Sequence, residues 1–144
     1  MNTNMATTQD QSQRLLRCGV SADSADMSWF RGWGNVGDYD LNLKPYNMLT
    51  RINVECCRGR NEIAPAWSLS ALLGLLPKRI ERGDWSNYTL NLSCDGCFWD
   101  LEYAYARYCG EDDSLVLFED TDPIEACVKA IEWLTENNYK LNEQ

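Results

Sequence analysis

From Tyr88 to Tyr103, apolar and polar residues alternate on both sides of Asp95-Gly96. A period of two sends successive side chains to opposite faces of a strand. Asp-Gly is a strong two-residue hairpin signal, because a type I′ turn needs positive φ at both central positions. With those residues as the turn, Cys94 pairs with Cys97, Leu92 with Trp99, Leu90 with Leu101 and Tyr88 with Tyr103. All of these lie on one face. Ser93 with Phe98, Asn91 with Asp100 and Thr89 with Glu102 make the other face. Register and polarity agree on an antiparallel hairpin over 87–94 and 97–105, with an apolar face that needs a cover.

The cover is legible on both sides of the hairpin. Downstream, 114–118 makes a further strand, and a helix over 123–137 follows it. Asp122 is its N-cap, Pro123 its first residue and Glu125 its N3 residue. Ile124, Cys127, Val128, Ile131 and Leu134 fall on one helical stripe. Upstream, Ser68 caps a helix over 68–76, with Leu69, Leu72, Leu73 and Leu76 at helical spacing and Pro77 as its stop. A first helix covers 8–18, ended by Gly19 at C′. Residues 49–56 alternate Ile52, Val54 and Cys56 against Arg51, Asn53 and Glu55, a half-buried strand. Residues 28–47 carry three glycines and a proline and read as loop with one short strand at most.

The predicted architecture is α+β. A small antiparallel sheet, made of the hairpin and the strands near 49–56 and 114–118, packs against helices near 8–18, 68–76 and 123–137. At 144 residues the chain has the length of one domain. Residues 1–7 read as a disordered tail and 8–144 as a single domain.

Composition removes whole classes of chemistry. The chain has no histidine, which excludes Ser-His-Asp and Cys-His nucleophiles, His-ligated zinc and imidazole proton shuttles. Thirteen basic side chains face 22 acidic ones, for a net charge of −9. Residues 61–144 hold sixteen of the acids and six of the bases. No basic patch is present to neutralise phosphates, so neither direct nucleic-acid binding nor an anionic membrane surface is expected. No apolar run reaches the roughly 18 residues of a membrane span, and 1–10 lack a signal-peptide pattern. The expected location is the cytoplasm.

Seven cysteines include a CxxC at Cys94 and Cys97, on a hairpin turn instead of the helix start that redox CxxC motifs use. A zinc site would need Cys56, Cys57 or Cys109 as well. Adjacent strand residues point apart, so that ligand set is awkward. Cys56, Cys94, Cys97 and Cys127 are therefore read as small apolar side chains, and no metal or cofactor is expected. The acidic runs at 111–113 and 119–122 fit no calcium loop. Trp99 is expected in the core and Trp133 half-buried. Trp29, Phe30 and Trp33 sit in the glycine-rich stretch. Rings on a loop either cap the core edge or form a contact surface, here with a partner protein or another copy of the chain.

Four stretches carry a family resemblance: SADM at 24–27, PAWSLSALLGLLPK at 65–78, the YTLNL…DG…W hairpin and DPIEACVKAIEWL at 122–134. Together they resemble short proteins of gut Bacteroides-type bacteria, often encoded by prophages or other mobile elements, a group with no assigned activity. The resemblance implies a cytosolic, phage-related α+β domain and carries over no site residue. The expected function is a non-enzymatic, protein-binding accessory or regulatory factor of a phage or mobile element. Two alternatives stand beside it: an acidic decoy that inhibits a DNA-binding protein, and a small carboxylate-dependent enzyme.

Overall fold

A computed structural model describes residues 5–31, 39–43, 62–82, 86–106 and 112–143. Its helices are α1 (Gln9–Arg17), α2 (Leu69–Leu75) and α3 (Pro123–Glu136). The strands are β1 (Met27–Arg31), β2 (Tyr39–Leu43), β3 (Glu62–Ala66), β4 (Arg79–Arg82), β5 (Ser86–Cys94), β6 (Trp99–Ala106) and β7 (Asp112–Asp120). They form two antiparallel sheets, ordered β2-β1-β3 and β4-β5-β6-β7. The fold is α+β.

Local sequence caps the start of each of these helices and closes the far ends of α1 and α3. Thr8 and Gln11 make a reciprocal capping box at α1, with Thr8 Oγ1 accepting from the Gln11 amide and Gln11 Oε1 accepting from the Thr8 amide. Gly19 at φ +87° then lets its own N–H and that of Val20 turn back to the carbonyls of Leu16 and Leu15. α3 ends the same way. Asn138 takes φ +63°, and the Tyr139 N–H reaches the Leu134 carbonyl at 2.9 Å. At its start Asp122 accepts from the Ile124 amide at 3.0 Å, as an N-cap should. Ser68 caps α2 and is itself gripped by Asp26, whose carboxylate accepts from both its amide and its hydroxyl. The far end of α2 is satisfied from 66 residues away. The Asn142 amide donates to the Leu75 carbonyl, and its side chain donates to the carbonyls of Gly74 and Leu76.

α3 is the spine of the core. Ile124, Ala126, Cys127, Val128, Ala130, Ile131 and Leu134 are all buried, with Ile124, Val128, Ile131 and Leu134 contributing about 1.5–3 kcal/mol each. It packs on β6 and β7 and against α1 and α2, while α1 also touches β3. Arg14 of α1 joins the layers through the carboxylates of Glu125 and Glu132, and Gln11 donates to Glu125 at 2.6 Å. Glu125 thus serves α1 instead of closing a capping box on α3.

The hairpin keeps its faces and changes its register. Leu92 lies opposite Leu101, Leu90 opposite Tyr103 and Cys94 opposite Trp99, two residues from the expected pairing. The Asp95 N–H bonds the Phe98 carbonyl at 3.1 Å, so the two central turn residues are Gly96 and Cys97. Gly96 has φ +90° in the first central position, where a type II′ turn places glycine. The Asp95 side chain accepts from the Phe98 amide at 3.4 Å. A slip of two preserves side-chain parity, so Leu101 and Tyr103 still face the core. Trp99 does not join that core and is only half-buried.

Other corrections concern extent. Two strands, β1 and β2, occupy the stretch read as loop over 28–47, and with β3 they build a second sheet where one small sheet was expected. β7 runs over 112–120, beyond the predicted 114–118. The predicted strand at 49–56 lies outside the described residues. Ala6 and Thr7, placed by the sequence in a disordered tail over 1–7, are buried, and the Thr7 N–H binds the Trp67 carbonyl at 2.9 Å; residues 1–4 lie outside the described residues.

Candidate protein-contact surface

The helices cover one face of the four-stranded sheet. On the opposite face of β5, Thr89, Asn91 and Ser93 are exposed. Next to them on β6 come Asp100, opposite Ser93, and Glu102, opposite Asn91. β7 then sets Glu119 opposite Asp100 and Leu117 opposite Glu102. Leu117 is 48% exposed, and Phe98 at the hairpin turn is 47% exposed. This face therefore presents two large apolar side chains within a field of carboxylates.

Its β6–β7 half is electrostatically one-sided, whereas on β4 the exposed Arg79, opposite Thr89, brings a base to the far end of the face. β6 and β7 contain no lysine or arginine. Asp100 and Glu119 are directly opposed across the ladder, an arrangement of like charges that costs stability. Ser114 Oγ donates to Glu102 at 3.3 Å. Asp100 Oδ1 is withdrawn from solvent and has no hydrogen-bond partner among the described residues. Asp120, on the helix side of β7, is instead neutralised by Lys129 at 2.9 Å. Burial alone would raise its pKa. The Lys129 ammonium and the Asp122 and Thr121 amides outweigh that and hold it below the usual carboxylate range.

The residues singled out in the sequence fall elsewhere. Trp29 lies on β1, half-buried beside Ala6, Met27 and Ala66, and its ring N–H donates to the Thr7 carbonyl at 2.8 Å. Phe30 follows it on β1, opposite Asp40 of β2 and Glu62 of β3. Trp33 lies outside the described residues. Cys94 ends β5 and Cys97 lies in the hairpin turn, and both are exposed, which corrects their reading as apolar filler. Cys127 is buried as expected, whereas Cys56, Cys57 and Cys109 are not among the described residues.

No family model, curated protein or solved structure matches the chain. The local geometry is therefore what a functional reading must rest on. A shallow cleft of about 380 Å³ lies between α1 and α3, lined by Arg14, Arg17, Cys18, Glu132, Thr135 and Glu136. Arg14 is already engaged there by two carboxylates. Among the described residues, no cluster of three or more metal-ligating side chains occurs, and no helix is long and apolar enough to cross a membrane.

Proposed function

We propose that the chain is a non-enzymatic protein-binding factor, accessory or regulatory, that engages its partner through the uncovered face of the four-stranded sheet. The observation that carries this reading is the exposure of Phe98 and Leu117 on one acidic surface. Contact surfaces combine apolar anchors with a polar surround, and an apolar side chain left in water gains most when a partner covers it. Trp29 serves the scaffold on this reading, because its ring is already anchored to Thr7. The resemblance to prophage-type proteins and a cytoplasmic location fit such a factor, and the exposed free thiols of Cys94 and Cys97 suit a reducing compartment.

The test is capture by the intact chain from the host of origin, comparing wild type with a Phe98→Ala/Leu117→Asp variant whose fold is checked by circular dichroism. A defined protein retained by wild type and lost by the variant supports the reading. Equal capture by both sinks it. One observation favours the second reading, an acidic decoy for a DNA-binding protein: β6 and β7 carry acids with no base among them. A decoy's captured protein is displaced by short duplex DNA, whereas other partners stay bound.

A further inference from the structure

The two cysteines at the hairpin turn have no role in the contact face. Six consecutive residues, 93–98, are exposed there, so no described element covers the tip of the hairpin. Cys94 ends β5, Cys97 is the second central residue of the turn, and both are free thiols. The turn is closed by the Asp95 N–H on the Phe98 carbonyl at 3.1 Å. The N–H groups of Gly96 and Cys97 have no partner among the described residues. Two thiols with two residues between them, on a turn, have the spacing of paired ligands in structural zinc sites. Open amides beside them are the donors that steady thiolate sulfurs in such sites. The tip therefore carries half of a tetrahedral zinc–thiolate centre.

The other half has to come from outside this tip. Among the described residues, no third His, Cys, Asp or Glu joins the pair in a ligand group. The same tip on a second copy of the chain supplies the two missing sulfurs. A tetrahedral ion has a two-fold axis that exchanges one pair of ligands for the other, and a two-fold axis is the commonest symmetry of paired identical chains. Charge makes this contact conditional on the metal. Asp95 lies between the two cysteines, and Asp100 follows on β6 with Glu119 opposite it. Two such tips repel each other, and a divalent cation held between them reverses the sign of the interaction. We propose that Cys94 and Cys97 of two chains together bind one zinc ion, which joins the chains tip to tip. Four S–H bonds give way to four Zn–S bonds of about 2.3 Å, the protons pass to solvent, and nothing is oxidised or reduced. This centre is independent of the uncovered sheet face.

The test titrates the full chain, stripped with a chelator and kept reduced with a phosphine, with zinc sulfate. Light scattering and native mass spectrometry are expected to show the mass doubling as zinc reaches one ion per two chains, and chelator should reverse it. Cobalt(II) in place of zinc should give the visible bands of a tetrahedral thiolate complex. Cys94→Ser/Cys97→Ser, at two exposed positions, should lose both the dimer and the bands, while Cys18→Ser keeps them. Zinc bound at one ion per chain without a change of mass overturns the proposal, because all the ligands then come from one chain. A zinc-dependent dimer that survives in the double variant also overturns it, since other groups then hold the ion. So does zinc uptake no greater than that of the double variant. Phe98→Ala/Leu117→Asp keeps both thiols and should dimerise with zinc like wild type, so the contact face and the zinc centre fail separately.

Discussion

Cys127 sits out of solvent on α3. Burial, aided by the nearby Asp122 carboxylate, pushes its thiol from an ordinary value of 9.0 up to about 12. The Tyr103 phenol, buried on β6, is raised as well, first by desolvation and then by Cys127. Both groups favour their protonated forms in the folded chain. In the unfolded chain the thiol gives up its proton near its ordinary value, while the folded chain holds on to it. The stability from this shift is therefore complete below about pH 9 and is lost as pH rises toward 12. The loss reaches up to about 1.4 kcal/mol per pH unit for each such proton. Urea midpoints measured from pH 8 to 11 should fall, and Cys127→Ala should flatten the decline. An unchanged slope in that variant would show that the thiol does not drive the alkaline loss. Iodoacetamide should alkylate the exposed Cys94 and Cys97 in the native state and spare Cys127 until the chain unfolds.

At the scale of elements, the start of α3 is the clearest test. Asp122→Ala removes the acceptor for the Ile124 amide and should cost about 0.5–2 kcal/mol in urea melts. No change would place the cap elsewhere, with Thr121 the first position to examine. This cap was legible because it depends on neighbours in sequence, as do Ser68 at α2 and the apolar stripe of α3. The hairpin shows where such local reading stops. Parity belongs to the strand itself, and it was right. Register depends on which pair of residues turns, and Asp95 uses its carboxylate to bond the Phe98 amide, moving the turn to Gly96-Cys97. β1 and β2 were hidden for a related reason. Each is five residues long, with three glycines between the two, so the pairing of β2 with β1 and of β1 with the distant β3, and not its own pattern, makes it a strand. The face proposed for contact was present in the alternation of 88–105 as its polar half. Sequence does not say which half of an amphipathic sheet stays uncovered.

At the scale of the whole molecule, Arg14 is the tie between α1 and the spine helix. Its guanidinium spans Glu125 and Glu132, seven residues or about two helical turns apart, and all three side chains are less than a third exposed. Arg14→Ala should cost roughly 1–2 kcal/mol, more at low salt than at high. Arg14→Lys should recover only part of that, because a single ammonium cannot fork between two carboxylates. Full recovery by lysine in thermal melts would reduce the tie to a simple charge effect. The second long-range tie, Asn142 on the end of α2, bears on how the chain is made. A ribosome releases residues 74–76 first, and Asn142, whose side chain and backbone N–H satisfy their carbonyls, follows 66 to 68 residues later. At 5–20 residues per second that delay is roughly 3–13 s. For most of it the nascent α2 ends in open carbonyls, and α3, which packs against it, is not yet complete. The helical core therefore cannot close until residues 123–142 have been made, and a partner or chaperone that meets the nascent protein before then meets it with its leucines still uncovered.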